Sequence, residues 1–154
     1  VLVLATVALG CTQPGGPSCS AEECSCSSTG CVCPDGTSCG WTSGSCTDRG
    51  EACRLQCLAQ SCVVNCITGC VVGCTDGANC EVIGDGLNEI RCEGSTCNLV
   101  GGAGSRIDCL DGSTCRLRCE GTPCGITCAP SSTCMIQCPG EAGYTTVVST
   151  TQCL

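Results

Sequence analysis

Aliphatic residues recur along this chain with a period that belongs to a stacked repeat. Leu55, Val72, Ile90, Ile107 and Ile126 are separated by 17, 18, 17 and 19 residues. A second series, Val64, Val82, Leu99, Leu117 and Ile136, is separated by 18, 17, 18 and 19. The two series interleave, so residues 53–140 hold five copies of a unit of about 18 residues, each made of two half-turns. Most half-turns place a cysteine two residues from the aliphatic one, as in "CRLRC" and "CGITC". Positions i, i+2 and i+4 share a face only in a strand. Between them stand "EGST", "LDGST" and "EGTP", whose acidic, glycine and hydroxyl residues favour turns. Short strands and turns at this spacing predict an all-β chain, a narrow parallel β-solenoid with cysteines and aliphatics facing inward. Residues 19–52 are then a small, irregular, cysteine-rich N-terminal module or cap. Residues 141–154, with the β-branched run "YTTVVSTTQC", form a C-terminal cap strand.

Composition says what holds such a stack together. The 154 residues include 25 Cys and 22 Gly but one Trp, one Tyr and no Phe. Large aromatic side chains, which dominate burial in most cores, are almost absent. Cysteine at this density marks a disulfide scaffold from an oxidising compartment. The net charge of −8, with six Lys and Arg, argues against nucleic acid, since nothing neutralises a run of phosphates. The lack of His excludes imidazole chemistry and the common His-containing zinc sites.

The repeat also pairs the cysteines. In every coil, a Cys two residues after the first aliphatic is followed across a turn by one two residues before the second. These pairs are Cys57 and Cys62, Cys74 and Cys80, Cys92 and Cys97, Cys109 and Cys115, and Cys128 and Cys134. At the other turn, Cys66 accompanies Cys70 and Cys119 accompanies Cys124. At the two equivalent turns between them both members are missing, Gly84 with Asn88 and Gly101 with Ser105. Cysteines gained and lost in pairs are what a disulfide requires; a thiolate cluster tolerates single losses. Extending the rule pairs Cys46 with Cys53 and Cys138 with Cys153. Cys19, Cys24, Cys26, Cys31, Cys33 and Cys39 remain for three bridges of unassigned pairing, and one cysteine, Cys11, is left over. Neighbouring coils also bring like cysteines within bonding range, so bonds between coils are the rival pairing. Sheets packed face to face sit about 10 Å apart, whereas bridged Cα atoms lie within roughly 7 Å. Bridges within a coil therefore belong at the turns, unless the solenoid is unusually thin.

The unpaired Cys11 has its own context. Residues 1–10, "VLVLATVALG", form an apolar run too short to span a bilayer and suited to a truncated signal peptide. Val7-Ala8-Leu9-Gly10-Cys11 resembles a bacterial lipobox, which implies lipidation of Cys11, cleavage before it and anchoring to a membrane. Residues 11–18 then hold the lipidated Cys and a flexible Pro/Gly tether, "TQPGGPS". Thr12 is not the acidic residue that retains members of this family at the inner membrane. The resemblance therefore implies an outer-membrane or cell-surface location. The other reading is ordinary secretory cleavage with Cys11 in a disulfide.

Four chemical readings compete with a purely structural one. "CSCSSTGCVC", residues 24–33, resembles metallothionein, and soft thiolates select copper(I) or zinc. Metallothioneins lack aliphatics in register, so no metal site is expected. "IGDGLNEI" (83–90) and "VGGAGSRI" (100–107) are similar to the glycine-rich turns of the calcium-bound β-roll, with Glu89 and Arg106 where its ligating Asp stands. Insect antifreeze proteins are also narrow disulfide-stapled solenoids, but the outward residues flanking these aliphatics, among them Arg116/Arg118 and Met135/Gln137, form no Thr-x-Thr ladder. Asp76, Glu93, Asp111 and Glu120 sit at or one residue into turns, where acids serve local hydrogen bonding, and no catalytic residue is assigned. Trp41 is read as covering the N-terminal end of the solenoid rather than as an exposed sugar or protein contact. The expectation is an exported, lipid-anchored surface protein with a non-catalytic structural or adhesive role, requiring no cofactor. Its partners are the membrane, through the lipid, and surface glycans or proteins, not nucleic acid. The alternatives are a glycan- or protein-binding surface module and, after it, a thiolate protein for copper or zinc.

Overall fold

The computed structural model describes residues 18–19, 25–27, 30–32, 39–43, 53–58, 61–66, 70–85 and 87–154. The repeat region is ten strands that alternate between two sheets. They are β5 (Cys53–Leu58), β6 (Ser61–Cys66), β7 (Cys70–Thr75), β8 (Asn79–Gly84), β9 (Glu89–Glu93), β10 (Thr96–Gly101), β11 (Arg106–Leu110), β12 (Thr114–Cys119), β13 (Cys124–Cys128) and β14 (Thr133–Gln137). Even-numbered strands make one parallel sheet, sheet A, and odd-numbered strands the other, sheet B. The protein is thus a two-sheet parallel β-solenoid with five strand pairs between Cys53 and Gln137.

Register converts the sequence period into columns. On sheet A, Val64 lies beside Val82, then Leu99, Leu117 and Ile136. On sheet B, Val72 lies beside Ile90, then Ile107 and Ile126. All nine are essentially inaccessible to solvent, and side chains alternate in and out along each strand. These two aliphatic columns are the core of the described residues, which holds no aromatic ring.

The cysteines close the core at the turns. Cys57–Cys62, Cys74–Cys80, Cys92–Cys97, Cys109–Cys115 and Cys128–Cys134 form one column of bridges, each spanning a turn within its coil. Cys66–Cys70 and Cys119–Cys124 close the opposite turn, and Cys138–Cys153 ties the C-terminal segment down. Their Cα–Cα separations of 5.5 to 6.5 Å are those of a chain doubling back. The bridges lie within coils, not between them. Of the pairs read from spacing, Cys46–Cys53 alone involves residues whose bonding lies outside the described part.

The turns at the bridge column follow from Asp-Gly. Asp76 and Gly77 have φ of 58° and 81°, and Asp111 and Gly112 have 50° and 77°. Two successive positive φ values suit a tight primed turn, in which Asp is tolerated and Gly favoured. Ala78 N–H and Ser113 N–H close these turns on the carbonyls of Thr75 and Leu110, at 3.1 Å each.

Where the second-turn bridge is absent, hydrogen bonds replace it. Asn88 is fully buried; its Oδ1 accepts from Cys70 N–H at 3.2 Å and its Nδ2 donates to the Gly84 carbonyl at 3.0 Å. The Ser105 hydroxyl, in the next coil, accepts from Asn88 N–H at 3.3 Å. Gly84 has no room for a side chain, since a Cβ there would collide with the Cys66 carbonyl. Asn88→Leu should therefore cost about 1–3 kcal/mol, because it strands the buried Cys70 N–H, while the Gly84 carbonyl keeps the Gly102 N–H at 3.2 Å. Chemical denaturation of the oxidised protein would read this; an unchanged midpoint would show that Asn88 does not replace the missing bridge.

Both ends of the stack carry short antiparallel strands. The C-terminal cap is two strands, β15 (Thr145–Val147) antiparallel to β14 and β16 (Thr150–Cys153) antiparallel to β13. Each sheet is thus finished by its own short antiparallel strand, which blunts a parallel edge that would otherwise invite pairing. Within 19–52, the structure describes four short strands or parts of strands. β3 (Gly30–Val32) runs parallel to β5 and β4 (Cys39–Ser43) parallel to β6. Beyond them, β1 (Ser18–Cys19) and β2 (Ser25–Ser27) pair antiparallel with β4 and β3. Trp41 stands in backbone register with Val64, and whether it covers the N-terminal end lies outside the described side chains.

Candidate functional site

With the inward positions filled by cysteine and aliphatic side chains, recognition falls to the outer faces of the two sheets. Sheet A presents three outward columns. The first is Ser61, Asn79, Thr96, Thr114 and Thr133, one short hydroxyl or amide residue per coil. The second is Val63, Glu81, Asn98, Arg116 and Met135, and the third is Asn65, Ile83, Val100, Arg118 and Gln137. Parallel strands set neighbours in a column about 4.8 Å apart. Val63 and Ile83 are 38% and 41% exposed, which makes them part of the face rather than of the core.

The hydroxyl column was not visible from the positions flanking the aliphatics. It lies one alternation earlier, beside the turn, in the triplets Ser95-Thr96-Cys97, Ser113-Thr114-Cys115 and Ser132-Thr133-Cys134. The recurring "STC" was the available signal. Its structural partner is buried: Ser95 N–H donates to the Ser113 hydroxyl at 3.2 Å, and the Ser113 hydroxyl donates to the Leu110 carbonyl. No second Thr stands two residues on, where Asn98, Arg116 and Met135 are found.

On sheet B, β9 and β11 carry an ionic patch. Arg91 donates to Glu93 on its own strand at 2.6 and 2.8 Å, and Arg106 reaches Glu89 of the coil before it. A hydrogen bond to Glu93, and then its charge, raises the Arg91 guanidinium above its ordinary value, and Glu89 does the same for Arg106. Both pairs are solvent-exposed, so salt screens them and they position side chains more than they stabilise the fold. Glu89 and Arg106 are the two residues standing where a calcium-bound β-roll carries its ligating Asp. Here they bind each other.

Three of the four turn acids are engaged locally. Asp76 accepts from the Thr75 hydroxyl at 3.1 Å, Glu93 pairs with Arg91, and Glu120 pairs with Arg118 at 3.2 Å. Asp76, Glu93 and Asp111 occupy the bridge-column turn of three successive coils, while Glu120 lies at the opposite turn. Arg116 forms no ion pair among the described residues.

One group of sulfur atoms has metal-like spacing, those of Cys57, Cys74 and Cys80, mutually within 4.8 Å. Each belongs to a disulfide, and the closeness is that of stacked bridges. A disulfide sulfur offers no thiolate, the form that binds copper(I) or zinc. The "CSCSSTGCVC" segment, the signal-like residues 1–10, Cys11 and its tether to residue 17 have no described side chains. No helix among the described residues is long and apolar enough to cross a membrane. Comparisons of the chain with protein families, with curated proteins and with solved structures found no match.

Proposed function

We propose that the protein is an exported surface element with a non-catalytic structural or adhesive role, its solenoid acting as a rigid, protease-resistant body. The observation that carries this reading is the bonding of every cysteine from Cys57 to Cys153 into disulfides, seven across single turns of the chain and the eighth, Cys138–Cys153, holding the C-terminal cap. Such a scaffold matches an oxidising compartment and locks seven of the nine turns between β5 and β14, where proteases ordinarily find purchase. The lipobox-like "VALG-Cys11" supports anchoring through a lipid at the outer membrane or cell surface. Intact mass of the exported protein, denatured without reductant and then alkylated, is the first test. Two hydrogens missing per bridge, no alkylation and an acyl increment on Cys11 are expected. Free thiols carrying co-purified copper or zinc would overturn the reading in favour of metal handling.

The outer face of sheet A favours a second reading, a binding module for surface glycans or proteins. Its hydroxyl and amide column offers donors and acceptors in a regular row, with Arg116 beside it. Retention on a panel of immobilised polysaccharides, lost on replacing Thr96, Thr114 and Arg116 by Ala together, would support it. No retention on any of them, with circular dichroism unchanged, would leave the spacer role.

A further inference from the structure

One stretch of sheet A carries positive charge on an otherwise acidic protein. β10, β12, β14 and the antiparallel β15 lie side by side, and none of the four contains an Asp or Glu. The chain as a whole has a net charge of −8. The two acids just past the strand ends are committed, Glu120 to Arg118 at 3.2 Å and Glu141 to the Cys138 N–H at 3.1 Å. Arg91 and Arg106, on sheet B, pair with Glu93 and Glu89. Arg116 is exposed in the middle of the face and has no ion pair among the described residues. Its column neighbours, Asn98 and Met135, are uncharged. Beside it runs the row of Thr96, Thr114 and Thr133, one hydroxyl per strand.

We propose that this face binds an acidic polysaccharide lying along the solenoid axis, one sugar per strand, with the carboxylate of a uronic acid on the Arg116 guanidinium. The proposal rests on the binding-module reading and names its ligand. The hydroxyl row repeats at about 4.8 Å, and a sugar in an extended, equatorially linked chain advances by nearly the same distance. Arg presents a planar fork of donors that matches a carboxylate with two parallel hydrogen bonds. Carboxylates on both adjoining sugars would lie over Asn98 and Met135 with no cation to meet them. The chain that fits therefore alternates uronic acids with neutral sugars, whose hydroxyls meet Thr96 and Thr133. Glu81, two strands from Arg116 in the same column, repels a further carboxylate and bounds the site at β8. Protein interfaces are commonly anchored by aromatic side chains, and these four strands hold none.

Calorimetric titration of the full oxidised chain with hyaluronan fragments of four sugars and longer tests it, since their uronic acids alternate with neutral sugars. Binding is expected, and converting the carboxylates to alcohols should weaken it about tenfold or more, the loss of a charged hydrogen-bonding partner. Arg116→Ala should weaken binding of the acidic fragments to the same degree and leave the carboxyl-reduced ones unaffected, with circular dichroism unchanged. Arg91→Ala, on the opposite sheet, should change neither. Equal binding of acidic and carboxyl-reduced fragments, or an equal loss with Arg91→Ala, overturns the assignment and leaves a glycan-binding module. Binding to polyphosphate as tight as to hyaluronan marks a response to charge alone and also overturns it. Retention on neutral polysaccharides without any on hyaluronan overturns the ligand but not the module, whereas no binding to any polysaccharide overturns both. Should Arg116→Ala not fold, the two forms of the sugar on the unaltered protein decide alone.

Discussion

Treatment of the protein with excess thiol is expected to erase its β-sheet circular dichroism completely, without denaturant and near neutral pH. A loop of about six residues closed by a disulfide contributes roughly 2 kcal/mol on the chain-entropy view. Seven of the described bridges close loops with sequence separations of 4 to 6, and Cys138–Cys153 closes one of 15. Together they are worth on the order of 15 kcal/mol, which equals the whole net stability of a robust domain. A solenoid with one Trp, one Tyr and no Phe has little with which to offset that loss. Nearly all the bridging sulfurs are buried, so reduction is expected to be slow and to accelerate as the first coils open. Partial reduction should therefore populate the native and the fully reduced chain more than states between. A fully reduced protein that kept its sheet signal would show that the aliphatic columns suffice and that the bridges are incidental to the fold.

How much of this was legible beforehand depends on the kind of neighbour a residue has. In a parallel stack, the residue beside Leu99 in space is one coil away in sequence, at Val82 or Leu117. Spatial columns then appear as a sequence period, and both aliphatic series and the bridge pairs could be read directly. The caps carry no such period. β15 and β16 turn back antiparallel over β14 and β13, so Thr146 meets Met135 and Thr151 meets Ile126 at separations the repeat does not predict. The parallel layer of β3 and β4 was hidden for a related reason. Trp41 and Val64 are 23 residues apart, because residues between β4 and β5 lengthen the coil beyond its usual 18. The turns without bridges were legible as paired losses. That Asn88 spans the gap by hydrogen bonding to two coils was not, since it depends on which way one side chain points.

The same stacking makes the aliphatic columns the most sensitive positions outside the bridges. Leu117 is fully buried, lies between Leu99 and Ile136 in its sheet, and is flanked along its strand by Cys115 and Cys119. Leu117→Ala should cost about 3 kcal/mol, towards the middle of the range for a core leucine. The reason is local rigidity. Collapse around the void would relieve part of the cost, but bridges to Cys109 and Cys124 pin the strand on both sides of position 117. The neighbouring coils are themselves bridged by Cys92–Cys97 and Cys128–Cys134, so no large side chain can swing in to fill the space. Arg116→Ala, one residue away and outward-facing, should change stability by no more than about 0.5 kcal/mol. Guanidinium denaturation of both oxidised variants would separate the two predictions. Equal midpoints would mean that the disulfides alone define the core and that the aliphatic period is a consequence of strand alternation. A large drop for Leu117→Ala with Arg116→Ala unmoved would show that two short columns of Val, Leu and Ile carry, between the bridges, the work that aromatic residues do in wider folds.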